Sequence, residues 1–263
     1  MGSLKENAEK TPIYTAVIIS LIAVAAFSLP FSFGNVKLSA RENPAVFYSV
    51  QMSVRTAACV LCVIYAHICG FALFAKPDKK TALLFVAAFI VCVNNFPFIA
   101  AISGAEINTG FFTVLLFVSY CLTVGFSEEF VFRGVVFCLF DEKFKDKENN
   151  GFLTVFFSAL AFSLCHLANL FGGAGIGATL LQVGYTFLTG AMFGAVMLYT
   201  RNVLLPAALH FIYDVGGLIF SESVGIGYGD IWDTATVIIT VALGALATAY
   251  FTFKIFKYRN QSK

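Results

Sequence analysis

Phe126-Ser-Glu-Glu-Phe-Val-Phe-Arg133-Gly134 sets two carboxylates and a guanidinium inside a run, Phe111 to Phe140, that is otherwise almost wholly apolar. A charged side chain at mid-bilayer costs roughly 2.5–3.5 kcal/mol on an insertion scale and more in simulations. Glu128, Glu129 and Arg133 therefore need partners and a reason to be there. Glu129 and Arg133 are four apart, so on a helix they share a face and pair. Glu128 lies about 100° round from Glu129 and is left to face something else. That leftover carboxylate is where the chemistry is expected.

The rest of the chain agrees with a membrane setting. Of its 263 residues, 59% are hydrophobic and 12% charged, against about 25% charged in a typical soluble domain. The net charge of +2 and the scattered basic residues exclude a nucleic-acid surface. The 7 cysteines all fall in apolar runs. An odd number there argues against a disulfide framework, and Cys59-x-x-Cys62 reads as packing.

A spanning helix takes about 20 mostly apolar residues. Read that way, the sequence predicts an all-α bundle of about eight spans: Ile13–Phe33, Val54–Ala75, Thr81–Ile102, Phe111–Phe140, Phe152–Phe171, Ala178–Tyr199, Val203–Phe220 and Ile231–Phe256. They are read as one integral-membrane domain, residues 1–263, with no internal repeat. The first span is expected to be a retained anchor, because its apolar run exceeds a signal-peptide core. Segment Gly34–Ser53 is read as interfacial or re-entrant. Pro97 is expected to kink the third span, its freed carbonyl satisfied by Asn94 or Asn95. Gly172–Gly177 reads as an outer turn and Asp141–Asn150 as a solvated loop.

Orientation follows the loop Lys and Arg residues. Lys5, Lys10, Lys76, Lys79, Lys80, Lys143, Lys145, Lys147, Arg201, Lys254, Lys257, Arg259 and Lys263 fall on one side, and only Lys37 and Arg41 on the other. Both termini are accordingly expected to be cytoplasmic, in the cell membrane, with Tyr228 and Trp232 at the outer interface. Arg55, at the edge of the second span, is expected to snorkel outwards.

Two further apolar helices carry ionisable groups at helical spacing: Phe162-Ser-Leu-Cys-His166 and His210-Phe-Ile-Tyr-Asp214. Spacing of four puts Phe162 beside His166, and Asp214 where it can orient the His210 ring or work beside it. His67, with no ionisable neighbour, reads as structural, and a Cys165–His166 nucleophile pair is disfavoured because adjacent residues diverge on a helix. At about 1.5 Å per residue, Glu128 lies near 18 Å, His166 near 21 Å and His210 near 10 Å from the cytoplasmic ends, compatible with one cluster.

In a low-dielectric pocket Glu128 is suited to take a proton from water. His166 and His210 can hold that water, bind a divalent metal, or stabilise an oxyanion. Asp214 can fix the His210 tautomer or position a scissile peptide. Arg133 would keep Glu129 ionised and the motif rigid. Together these groups are the equipment of amide hydrolysis through activated water.

The three motifs resemble those of the CPBP intramembrane proteases, the Abi or CAAX-protease and bacteriocin-processing family. Its pattern is Glu-Glu-x-x-x-Arg, then Phe-x-x-x-His, then His-x-x-x-Asn/Asp, on separate membrane helices. Glu128-Glu129-…-Arg133, Phe162-…-His166 and His210-…-Asp214 follow it in order, over about Phe111 to Phe220. The resemblance implies an eight-helix fold and hydrolysis of a membrane-bound protein or peptide by water activated on Glu128, with His166 and His210 assisting. The type II CAAX-prenyl endopeptidase branch, which removes the last three residues of prenylated proteins, typically ends its third motif in Asn. This chain has Asp214, which fits the wider membership in peptide maturation or bacteriocin self-immunity. The motifs commit the chain to no cofactor. If a divalent metal such as zinc were used, Glu128, His166 and His210 would be its ligands, though without the His-Glu-x-x-His arrangement of a standard zinc protease. Two other classes compete: a proton-coupled transporter relaying protons through the same groups, and a non-catalytic immunity or scaffold protein.

Overall fold

The computed structural model describes residues 2–28, 40–228 and 233–258. The described residues are mostly helical, with one small two-stranded clasp. In order the chain forms α1 (Gly2–Lys10), α2 (Pro12–Ser28), α3 (Pro44–Cys69), α4 (Ala82–Asn94), α5 (Phe98–Ile102) and α6 (Phe111–Glu129). A π-helical segment (Phe130–Val136) joins α6 to α7 (Phe137–Phe144). Then follow α8 (Asn150–Cys165), a 3-10 segment (His166–Leu170), α9 (Ile176–Thr200), α10 (Leu204–Leu218) and α11 (Thr234–Lys257). The clasp pairs β1 (Glu106–Ile107) antiparallel with β2 (Gly227–Tyr228) and ties two loops together.

The continuous piece α6–π–α7 is the centre of the bundle. From Glu129 to Phe140 every residue is buried, the mark of a helix enclosed on all sides. α6 packs on α3 and α10, while the π segment meets α2, α3 and α8. The outer helices present apolar side chains outwards; α11 exposes Ile238, Val241, Leu246 and Phe253. In water that face would be costly, whereas against lipid it needs no cover.

Among the described residues, five helices are long and apolar enough to cross a membrane: Pro44–Cys69, Phe111–Phe144, Asn150–Leu170, Ile176–Thr200 and Thr234–Lys257. Counting the bent pair α1–α2, which turns through 116°, gives six. The all-α polytopic fold stands as read from sequence, but the count of eight spans does not follow. α4 and α10, with 13 and 15 residues, fall short of the roughly 20 that a bilayer core requires. α4 stops at Asn95-Phe96-Pro97, where a proline has no N–H to continue the ladder.

Two local expectations change. α3 begins at Pro44, so residues 44–53 are the first turns of a 26-residue helix rather than an interfacial piece; positions 34–39 lie outside the described residues, as does Trp232. Proline at the first helical position suits a helix start, since its missing N–H would be unpaired there anyway. At the Pro97 break, Asn95 Nδ2 donates to the Tyr213 carbonyl of α10 at 2.7 Å, and so serves a neighbouring helix instead of its own. Gly217 allows this contact, because a Cβ there would sit 2.5 Å from that Nδ2. All seven cysteines are free thiols, and His67 is exposed on the outer face of α3.

Candidate active site

The Glu-Glu-x-x-x-Arg motif straddles the α6–π junction. Glu129 is the last residue of α6, and Arg133 lies mid-way through the π segment. π-Turns are rare and concentrate at functional sites. Arg133 Nη1 donates to Glu129 Oε1 at 2.7 Å with both side chains fully buried. Its Nη2 donates to the Gly190 carbonyl of α9 at 3.0 Å. The guanidinium also lies 4.4 Å from the centre of the Phe162 ring, over its face. A Cβ on Gly190 would stand 3.0 Å from both Arg133 Nη2 and Phe162 Cδ1, so glycine is what lets α9 approach.

His210, mid-way along α10, is also buried. Its Nδ1 lies 2.9 Å from Glu129 Oε1. Because that oxygen already accepts from Arg133, the carboxylate is the acceptor and Nδ1 carries the proton. Glu129, and not Asp214, thus fixes the ring's orientation. Asp214 works beside the ring instead: its Oδ1 lies 3.5 Å from His210 Nε2, and Glu128 Oε2 lies 4.0 Å from the same nitrogen. Both groups facing Nε2 are carboxyls. Ionised carboxylates only accept hydrogen bonds, and at 3.5 and 4.0 Å neither makes a close one with Nε2. The ring is held flat on Phe193, with centroids 5.3 Å apart, and edge-on to Phe162 at 5.8 Å.

His166 opens the 3-10 segment after α8. Its Nδ1 is 3.2 Å from the Phe162 carbonyl one turn back, and the two rings meet edge to face at 5.1 Å. With Nδ1 donating to that carbonyl, Nε2 is the nitrogen left for a ligand. Glu128, His166, His210, Asp214 and Phe162 all line one cavity of about 310 Å³. That volume is near the lower end of the ~300–1,000 Å³ usual for ligand sites. Glu129 and Arg133 sit behind the wall. Among the described residues no three His, Cys, Asp or Glu side chains are grouped to hold a metal ion. The suggested ligands Glu128, His166 and His210 share the cavity without forming such a group.

One residue of this site was misjudged from sequence. Arg55 does not reach the interface: it is only 6% exposed, and its Nη1 donates to Glu128 Oε1 at 3.1 Å and to Ser127 Oγ at 3.3 Å. The signal was present in the sequence as an intramembrane arginine without a partner and an intramembrane glutamate without one.

A polytopic helical bundle enclosing an acid–imidazole cluster in its apolar interior defines a membrane protein with a buried polar site. Residues 110–216 match the model of the Rce1-like family, described as type II CAAX prenyl endopeptidase Rce1-like. That stretch contains all three motifs, and the match supports the resemblance to the CPBP intramembrane proteases. At family level the match supports a CAAX-type intramembrane endopeptidase. No curated protein matches the chain.

Proposed function

We propose that this chain is an intramembrane endopeptidase that hydrolyses a peptide bond of a membrane-associated protein or peptide, with Glu128 as the base that activates water. The observation that carries this reading is the convergence of Glu128, His166, His210 and Asp214 on one cavity from α6, α8–3-10 and α10. Glu128 takes a proton from water as the oxygen attacks the amide carbon. His210 Nε2, which faces Asp214 and Glu128 in the cavity, is placed to donate to the oxyanion that develops. Collapse of the tetrahedral species breaks the C–N bond, and Glu128 returns its proton to the leaving amine. His166, through Nε2, holds the attacking water. Glu129 and Arg133 do not touch substrate; they fix the His210 ring and join α6 to α9.

The family match favours a CAAX-type peptide over the bacteriocin-processing and self-immunity roles of the wider family. The Lys and Arg distribution supports a cell-membrane protein with both termini cytoplasmic. Proton-coupled carriage draws only on the same buried groups.

The test is to reconstitute the protein in liposomes with a farnesylated CAAX-type peptide and an unprenylated amphipathic peptide, and to weigh the products. Loss of a C-terminal tripeptide from the farnesylated peptide is expected. Proton-coupled uptake with neither peptide cut would instead support the carrier.

A further inference from the structure

The charge nearest to Glu128 does not come from the motifs. Arg55 lies on α3, outside the matched segment 110–216, yet it is the cation that contacts Glu128 directly. We propose that Arg55 is a positioning residue of this site: it clamps Glu128 by Oε1 and so turns Oε2 towards His210 and the cavity. This role rests on the proteolytic reading given above.

Three helices fix the clamp. The guanidinium is rooted on α3 and lies 4.4 Å from the centre of the Phe27 ring of α2. It also sits 5.9 Å from the Tyr120 ring of α6. Nη1 then bridges Ser127 Oγ and Glu128 Oε1. A lone carboxylate can swing about its last torsion, whereas a base must present one oxygen to water in a fixed place. With Oε1 held at 3.1 Å by Arg55, the free oxygen is Oε2, the one 4.0 Å from His210 Nε2. The clamp also balances charge. Three carboxyl groups, Glu128, Glu129 and Asp214, crowd His210. Arg133 neutralises Glu129 from behind, and Arg55 answers Glu128 from the cavity side.

A residue that merely fills space would act through stability, whereas a clamp on the base acts on turnover. Arg55→Ala is measured in the reconstituted protein with the farnesylated CAAX-type peptide, alongside its thermal unfolding midpoint. Expected is a fall in kcat of about 100-fold with KM within about threefold, partly restored by added methylguanidinium. A kcat within about threefold of wild type, or a loss confined to KM, overturns the role. Should Arg55→Ala fail to fold, Arg55→Lys keeps the cation but not the planar fork, and is expected to keep the midpoint and lose about tenfold in kcat. Undiminished turnover of Arg55→Lys then overturns it. Glu128→Gln separates the two levels. If it is as active as wild type, the proteolytic reading falls; if it is inactive while Arg55→Ala is active, only the clamp falls.

Discussion

Glu129 Oε1 holds His210 Nδ1 at 2.9 Å and Arg133 Nη1 at 2.7 Å, so one oxygen atom joins the first motif to the third. The partners lie on α10 and the π segment, and none of the three side chains reaches solvent appreciably. Breaking one half of a buried ion pair leaves the other charge stranded, at about 3–5 kcal/mol. Glu129→Gln is therefore expected to lower the thermal unfolding midpoint in detergent and to abolish cleavage. An unchanged midpoint would show that Arg133 has another counter-charge.

α6 and α10 meet at Gly125, where an added Cβ would lie 2.7 Å from Phe211 N and 3.1 Å from the Ala207 carbonyl. Backbone cannot move aside as a side-chain tip can. Gly125→Ala should push α10 off α6, at about 1–3 kcal/mol, and displace His210 from Glu128 and Glu129. A misplacement of about 1 Å can cost about 100-fold in rate, so kcat should fall although residue 125 touches no substrate. Wild-type kcat in this variant would mean that the helix spacing does not govern the site.

Asp214 faces His210 Nε2 at 3.5 Å without bonding closely to it. Asn has the same shape and reach, and can either donate or accept. Asp214→Asn is expected to retain activity within about tenfold, while Asp214→Ala should lose about 100-fold or more. Equal losses in the two variants would assign the requirement to the negative charge rather than to the hydrogen bond.

The motif spacings were enough to pair Glu129 with Arg133 and Phe162 with His166, because neighbours four apart on one helix are a property of helical geometry alone. His210 and Asp214 likewise meet, though the carboxylate sits beside the ring instead of orienting it. What spacing cannot report is contact between helices. The Glu129–His210 and Arg55–Glu128 bonds join residues 81 and 73 positions apart, and only the packing of α3, α6 and α10 creates them. Arg55 was further obscured by the polar residues before it. Ser53 Oγ bonds back to the Ser49 carbonyl at 2.8 Å, so part of a polar stretch that reads as interfacial or re-entrant is satisfied within a helix. The π segment and the early stops of α4 and α10 likewise left no periodic trace.

Arg55 also bears on metal use. Its guanidinium occupies Glu128 Oε1, Glu129 takes His210 Nδ1, and two carboxyls face His210 Nε2. A divalent ion would have to bind Glu128 through Oε2 alone, beside a guanidinium whose positive charge opposes it. Activity is expected to survive dialysis against a chelator, with elemental analysis finding well under one equivalent of zinc. Loss on chelation and recovery with zinc would contradict this.

At the start of α11, Asp233 caps the helix by accepting from Ala235 N and Thr236 N. The Thr236 hydroxyl and these amides hold its carboxyl below the usual range. A group whose folded value is depressed stabilises above its unfolded value and loses that contribution as pH falls through the folded one. Amides of residues 234–237 should therefore exchange faster once corrected for intrinsic rates as pH drops below the ordinary aspartate range, and Asp233→Ala should remove that dependence.

The central claim is that Glu128 is the base. The most direct measurement is turnover of a farnesylated CAAX-type peptide by reconstituted Glu128→Gln, a nearly isosteric change, in protein whose thermal midpoint is recorded in parallel. Loss of about 1,000-fold or more in kcat from a folded variant is the predicted result. Cleavage at the wild-type rate would contradict it.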